Sequence, residues 1–460
     1  MLLDQLPALD GTLHADDASR RQFSVDLALN IQRIPLAVLK PGSVEDIVKM
    51  VRYANQHNLK IAMRGQGHSR YGQTLVEAGI VIDSRTLRAV VRVGDEGVDA
   101  QAGAFWGEVA QLSLAKGLTP PAMGTCMSLS VGGFLSSGGH SNSSHLFGAV
   151  ADTVQELDVV TGDGRLITCS AGQEGELFDM VLAGMGQCAL IVRARLQLVR
   201  APTRVVRQDL FYDDLEAFIS DAKRVVLDDR FDHLFSRAFR NSDGGWSFSI
   251  NVGKFYYGAG EWAADSEFAA LQDGLRFHST SKLVRTSYWE YLERDAAKNA
   301  ADKAAREQNP QREPSVVVFV PAGAIKNFVA QLIAAPLDLA GLADFQLNPF
   351  NVRRFRCPLF KFPDEDITFG VWLYPRNVPI NNAAAYAAAM DVNRGILEKM
   401  RACGGKVYPP YAPYFSQPEW QEHFGPATWQ RLLAAKRKYD PKNVLTPGLG
   451  MFGGIAGLTH

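Results

Sequence analysis

RGQGHSRYGQT, residues 64–74, decides how this chain is read, because it puts a histidine inside a glycine-rich turn. KIAM (60–63) directly before it reads as a short strand. Glycine lets backbone N–H groups come close to an anion, since no Cβ stands in the way. The turn is therefore a cradle for phosphate oxygens, with the His68 imidazole facing whatever carries them.

Upstream, RIPLAVLKP (33–41) reads as a strand ended by proline, and Ser43 caps a helix running to about His57. Val44, Ile47, Val48 and Val51 fall on one face of that helix, with Asp46 three residues after the cap. Downstream, GIVID (79–83) is the next strand. Gly65-Gln66-Gly67 with Asp83 could be taken for a Rossmann fingerprint. The spacing excludes it: a parallel crossover needs a helix of roughly ten residues, and the short stretch between Ser69 and the next strand contains Gly72 and Gly79. The turn is a different pyrophosphate cradle.

A second block, TCMSLSVGGFLSSGG (125–139), is too rich in Gly and Ser for a regular helix and too apolar for a linker. Such a segment suits close backbone contact with a flat or charged ligand. VQELDVVTGDGRLITCS (154–170) reads as a hairpin around Gly162-Asp163-Gly164, followed by a helix over 175–183 and a strand over 189–199. Past Pro202 the strands become aromatic, as in WSFSINVGKFYY and TFGVWLYP, which predicts a domain boundary near residue 205. Residues 293–313 are strongly charged without an apolar stripe, which predicts a solvated helix or mobile loop rather than a binding element. A C-terminal helix spans about Trp429 to Tyr439.

The chain has 460 residues, 47% of them hydrophobic, enough for two domains. Its 48 basic and 49 acidic residues leave a net charge of -1, which gives no field for gathering nucleic acid or an anionic membrane. MLLDQLPALDG is no Sec signal, and no long apolar run follows. Cys126, Cys169, Cys188, Cys357 and Cys403 are odd in number and dispersed, against both a disulfide framework and a zinc site. These features predict a soluble cytoplasmic protein, monomer or homodimer.

R-G-x-G-H-S-x-x-G-Q, then G-x-V-I-D, S-V-G-G-F-L-S-S-G-G, ELDVVTGDG, ELFDMVLAGMGQ and K-Y-D-P-K-N-V-L-T-P-G resemble, in that order, the FAD-binding domain of the vanillyl-alcohol-oxidase superfamily. The resemblance covers roughly 33–200 and 405–452 and is greatest to the cytokinin-dehydrogenase-like branch. It implies an α+β chain with a two-domain PCMH-type FAD-binding fold of two α/β subdomains, and an inserted substrate domain of antiparallel sheet covered by helices. The expected bounds are 1–205 and 406–460 for the FAD-binding part and 206–405 for the substrate part. In that family the histidine of G-H-S is linked to the flavin 8α-methyl group, and His68 occupies its place. Arg64, Gly65, Gln66, Gly67, Ser69 and Gln73 are then expected along the pyrophosphate and ribityl region. Thr125, Ser130, Gly132, Gly133, Ser136 and the backbone of His140 and Leu190 join them.

Cys126 stands in G-T-C-x-x-x-x-V-G-G, which is similar to the G-x-C-P-T-x-G-x-G-G segment of berberine-bridge-type and oligosaccharide oxidases, with Met127-Ser128 in place of Pro-Thr. There the cysteine forms a second bond, to flavin C6. Cys126 is thus a candidate second anchor, set against an ordinary thiol beside the ring. In cytokinin dehydrogenases an aspartate hydrogen-bonds the substrate amine; matching that pattern puts Thr125 at the position, and a threonine cannot take up a proton as a carboxylate does.

Hydride transfer to flavin leaves a proton to be removed from the substrate. Y-P-P-Y-A-P-Y (Tyr408, Tyr411, Tyr414) is the best supply of a group for it, with Tyr411 or Tyr414 chosen and packing as the ordinary alternative. His140 and His145 are runners-up, without a third ligand to suggest a metal. Asn351, Phe355 and Trp372 are candidate pocket residues, and Arg353 and Arg354 candidate receivers of an acidic substrate. The expected function is a covalent FAD oxidase acting on a C–H beside O or N of an alcohol, sugar or secondary metabolite, with O2 or another acceptor. The alternatives are a cytokinin-type amine dehydrogenase and a flavin-binding protein without turnover.

Overall fold

The computed structural model describes residues 6–258, 262, 265–334, 342–375, 377–413 and 415–453. The helix expected after Ser43 is Val44–Gln56, with Ser43 Oγ accepting from the Asp46 N–H at 3.3 Å. Its buried face includes Ile47, Val48 and Val51. Asp46 is buried as well, because its carboxylate accepts from the N–H groups of Asp10, Gly11 and Gly42, each at 2.8 Å. That helix joins strands Ala37–Lys40 and Ile61–Arg64, and strand Ile80–Asp83 runs parallel between the two. The glycine turn therefore leaves one strand and re-enters its neighbour with no helix between.

The far end of the chain completes this sheet. Leu445 bridges Ile61 in parallel, with Ile61 N–H donating to Val444 O at 2.8 Å and Thr446 N–H to Ile61 O at 2.7 Å. The K-Y-D-P-K-N-V-L motif makes this return. Asp440 accepts from the Val444 and Leu445 N–H groups at 2.8 and 2.9 Å and from Lys436 Nζ at 2.6 Å. Both charged side chains are fully enclosed, and Lys436 also donates to Gln187 O at 2.8 Å.

A second, antiparallel sheet runs Val90–Val93, Gly97–Gln101, Ala189–Gln197, Val154–Thr161, Leu166–Cys169, with the expected hairpin at its edge. One expectation is corrected here: the Gly/Ser-rich block contains a helix, Val131–Ser136. Its glycines serve packing rather than irregularity, since a Cβ on Gly132 would lie 2.6 Å from that of Ala102.

The largest sheet takes its strands from Arg204–Tyr212 through to Lys406–Val407, with neighbours ordered Ser279–Thr280, Arg204–Tyr212, Trp246–Tyr256, His233–Arg240, Leu342–Asn351, Ile367–Pro375, Val316–Pro321, Lys406–Val407. Side chains alternate across a sheet, so register sorts them onto faces. Leu210 pairs Ile250, Ile250 pairs Ser236, Leu347 pairs Val371 and Val371 pairs Val318, and this buried row lies on one face. Helices Leu215–Val225, Ile325–Ala334 and Ala383–Ala402 pack on the sheet. The other parity is polar: Asp209 pairs Asn251, Arg237 pairs Gln346, Gln346 pairs Trp372 and Asp344 pairs Tyr374. Charged residues 296–308 form a helix with none of them buried. All five cysteines are free, and among the described residues no helix is long and apolar enough to cross a membrane.

Candidate active site

The polar face of the large sheet roofs a cavity of about 1360 Å³ whose floor is the glycine turn and the block around Gly132. That exceeds the roughly 300–1,000 Å³ of a pocket for one drug-sized ligand, and leaves room for a dinucleotide and a substrate together. The floor is built for close approach. A Cβ on Gly65 would fall 2.0 Å from Ser130 Oγ, so a glycine there lets the turn and the block around Gly132 meet. Gly67 holds φ +67°, the left-handed region that favours glycine.

Gly65, Gln66, Gly67, His68, Ser69 and Gln73 all line this cavity, and so do Thr125, Cys126, Ser130, Gly132, Gly133, Ser136, His140 and Leu190. Arg64 does not. Its guanidinium lies behind the turn, donating to Val25 O at 2.5 Å and resting over the Phe23 ring at 5.4 Å. Two wall residues spend their polar atoms on neighbouring protein groups. Gln73 Oε1 accepts from the Arg70 and Tyr71 N–H groups at 3.2 and 2.9 Å and its Nε2 donates to Pro410 O at 3.0 Å, while Ser69 Oγ donates to Asp26 Oδ2 at 3.1 Å. Asp26 was not legible as a site residue. It also takes the Gly72 N–H at 2.8 Å, its other oxygen is buried without a partner, and burial raises its carboxyl to about 6.

The His68 ring is open to the cavity but enclosed by protein beyond it, and desolvation, followed by the charges of Arg70 and Arg306, pushes it down to about 3. It is a neutral imidazole with a free ring-nitrogen lone pair. Cys126, partly exposed, lies 3.2 Å from Ser128 Oγ. His140 is neutral too, pushed by burial to about 4, and its ring sits 4.7 Å from Trp372 and 6.1 Å from Tyr408. His145 faces the cavity with Nε2 bonded to Phe231 O at 2.9 Å.

Of the expected chemistry-bearing residues on the upper wall, Tyr411 and Trp372 are in place, and Tyr414 lies outside the described residues. Asn351 and Phe355 are corrected: neither lines the cavity. Asn351 is buried, and Phe355 packs against Phe350, Phe360 and Phe362. Arg353 and Arg354 are also off the wall, on the surface in ion pairs with Asp366 and Asp229.

Missing from the sequence reading is a charged cluster beside Tyr411. Arg70, two residues after His68, pairs with Glu313, which also takes Arg306 Nε at 2.5 Å. Tyr374 Oη lies 3.1 Å from Tyr411 Oη. All five of these residues line the cavity. The charged stretch 293–313 thus presents a solvated helix, as expected, yet it also supplies cavity wall. Its signal was Glu313, an acid among Pro and β-branched residues at the stretch's end. Among the described residues no group of three His, Cys, Asp or Glu is placed to hold a metal.

Residues 35–170 match a family described as FAD binding domain, and residues 220–452 one described as cytokinin dehydrogenase 1, FAD and cytokinin binding. An uncharacterized oxidoreductase, ORF5 of the fasciation locus of Rhodococcoides fascians, is 31% identical over 96% of this chain and 99% of its own. Cytokinin dehydrogenase 1 of Oryza sativa subsp. japonica is 30% identical over 97% of this chain and 92% of its own. In fold the chain is similar to 6-hydroxy-D-nicotine oxidase from Arthrobacter nicotinovorans, with a TM-score of 0.72 at 20% identity over 95% of this chain and 96% of that one. With a glycine floor made for close approach and a cavity of dinucleotide size, the chain belongs to the family of FAD-dependent oxidoreductases that includes the cytokinin dehydrogenases, on a PCMH-type FAD-binding fold.

Proposed function

We propose that this enzyme is an oxidase that takes a hydride from a C–H beside oxygen or nitrogen in an alcohol, sugar or secondary metabolite, on FAD bonded to His68 and also to Cys126. The carrying observation is that His68 and Cys126 line one cavity beneath a roof of hydrogen-bonding side chains. FAD, when bound, accepts the hydride and its electron pair. The residues of 1–205 and 406–460 hold it, and those of 206–405 cover it. Attachment would join the neutral His68 nitrogen to the flavin 8α carbon and the accessible Cys126 sulfur to a ring carbon, each bond replacing one flavin C–H and the side chain's N–H or S–H, with two electrons per bond passing to the flavin and then to O2. Arg237, Gln346 and Asp344 on the roof suit a hydroxyl-rich substrate better than an apolar one. Thr125 stands where a cytokinin-type amine would need a carboxylate. Reoxidation is by O2 or another acceptor.

A second reading, dehydrogenation of a cytokinin-like amine, is favoured by the match of residues 220–452 to a cytokinin-binding family. Two experiments decide. Acid-precipitated protein is expected to stay yellow, His68→Ala Cys126→Ala to lose the colour, and Cys126→Ala to keep it with a shifted spectrum; a wild-type precipitate without colour overturns covalent attachment. Anaerobic bleaching of the flavin by isopentenyladenine, with none by simple alcohols and aldoses, would replace the first reading by the second.

A further inference from the structure

We propose that the substrate carries a carboxylate and that the guanidinium groups of Arg207 and Arg294, beside Thr125, receive it. The inference rests on the oxidase reading above and narrows its alcohols and sugars to hydroxy acids and sugar acids. Arg207 comes from the strand Arg204–Tyr212, and Arg294 follows the helix Tyr288–Leu292. Both guanidinium groups rest on the buried ring of Tyr291, their carbons 5.5 and 4.3 Å from its centre, and both line the cavity with Thr125, His233 and Asn251. Tyr291, Arg294 and Thr125 also border a hollow of about 30 Å³ beside it, so the pair stands next to the segment that carries Cys126. Gly253 gives Arg207 its place: the strand register sets it between Arg207 and His233, and a Cβ there would lie 2.9 Å from Arg207 Cγ.

Two like charges gathered on one ring repel, and the protein supplies little to offset them. Arg207 has no ion-pair partner among the described residues, and its Nε is buried without a hydrogen-bond partner. Burial and then the charge of Arg294 push it below the usual arginine range, as befits a positive charge short of a counter-ion; Asp295 and Asp209 pull the other way without reaching ion-pair distance. Asp295, nearly half exposed, goes to Arg294 at 3.6 Å. His233 Nδ1 lies 2.9 Å from Tyr291 Oη, and burial with both guanidinium charges keeps that imidazole neutral. The remaining cations of the cavity are engaged or distant: Arg70 and Arg306 share Glu313, Lys298 pairs with Asp302 at 3.7 Å, and Arg237 lies roughly 13 Å further along the strands. A carboxylate takes two parallel N–H bonds from one guanidinium or one from each of two, and either arrangement offsets the repulsion. Thr125, uncharged where a cytokinin-type amine would meet an acid, leaves that side open to an anion and offers it a hydroxyl.

The test uses the holoenzyme with its flavin photoreduced, so that binding is read without turnover. Calorimetry compares glucuronate with glucose and mandelate with benzyl alcohol, each neutral compound keeping the framework without the carboxylate. At least one acid is expected to bind about tenfold or more tighter than its neutral counterpart. That ratio is expected to fall towards one in Arg207→Met and in Arg294→Gln and to survive in part in Arg207→Lys, with flavin content at the wild-type level as the sign of intact folding. Should one variant lose its flavin, the others decide. Equal affinities, no binding of either acid, or a ratio unchanged in both Arg207→Met and Arg294→Gln overturns the proposal. Protein without FAD, or bleaching by isopentenyladenine alone, defeats the oxidase reading instead, and the calorimetry still decides the guanidinium site.

Discussion

Arg70 and Glu313 form an ion pair with only 6% and 7% of their side chains exposed, and it joins the cofactor-side turn to the roof of the cavity. Around it, Asn30 Nδ2 donates to both Arg70 O at 3.0 Å and Glu313 O at 2.9 Å, and Tyr71 Oη donates to Ser315 O at 2.7 Å. Removing one partner of such a pair strands the other charge away from water, which costs about 3–5 kcal/mol. Glu313→Ala is expected to lose stability of that order in urea denaturation and to retain less flavin, whereas an unchanged midpoint would make the pair idle.

Asp26 gives a pH-dependent test. Its carboxyl sits at about 6 in the fold against an ordinary 3.8, so the folded state prefers the protonated form. That contribution is fully present below the unfolded value and is lost as pH rises through about 6; the difference is worth about 3 kcal/mol. Asp26→Asn keeps an acceptor for the Gly72 N–H and removes the buried charge. It is expected to match wild type near pH 4 and to exceed it above about pH 7, read from denaturation midpoints across that range.

The contact between the two floor segments is testable by rescue. Gly65→Ala drives a methyl into Ser130 Oγ, where only 2.0 Å is free. The variant is expected to purify with much less bound flavin. Adding Ser130→Gly to the same chain opens the space, and flavin content measured by absorbance should recover, since contacting sites are not additive.

Lys436→Met leaves Asp440 enclosed without its cation while the Val444 and Leu445 N–H groups still hold it. A loss of about 3 kcal/mol or more is expected. Limited proteolysis should cut first within residues 440–450, and uniform resistance there would show that the returning segment does not depend on the pair.

What the sequence disclosed follows how local each cause is. The helix Val44–Gln56 could be read because its cap and its apolar face lie within one short segment, and the 154–170 hairpin because its turn glycines mark it. The position of the glycine turn was legible from Gly65 and Gly67, and the direction of its side chains was not: Arg64 turned behind it, and Ser69 and Gln73 spent polar groups on Asp26 and Pro410. Asn351 faces away from the cavity because strand parity decides which residues face it, and parity needs the register of neighbouring strands, while Phe355 follows the turn Val352–Arg354 and packs among Phe350, Phe360 and Phe362. Arg70 with Glu313 stayed hidden because the partners are 243 residues apart, so even the unusual setting of Glu313 names no partner.

The parallel bridge between Ile61 and Leu445 also sets an order in time. On the ribosome, the strand carrying the glycine turn emerges long before the segment that lies beside it, and the entire roof is synthesised in the interval. The sheet under the cofactor stays one edge short throughout. Lasting capture of FAD therefore waits until the segment around Leu445 has been made.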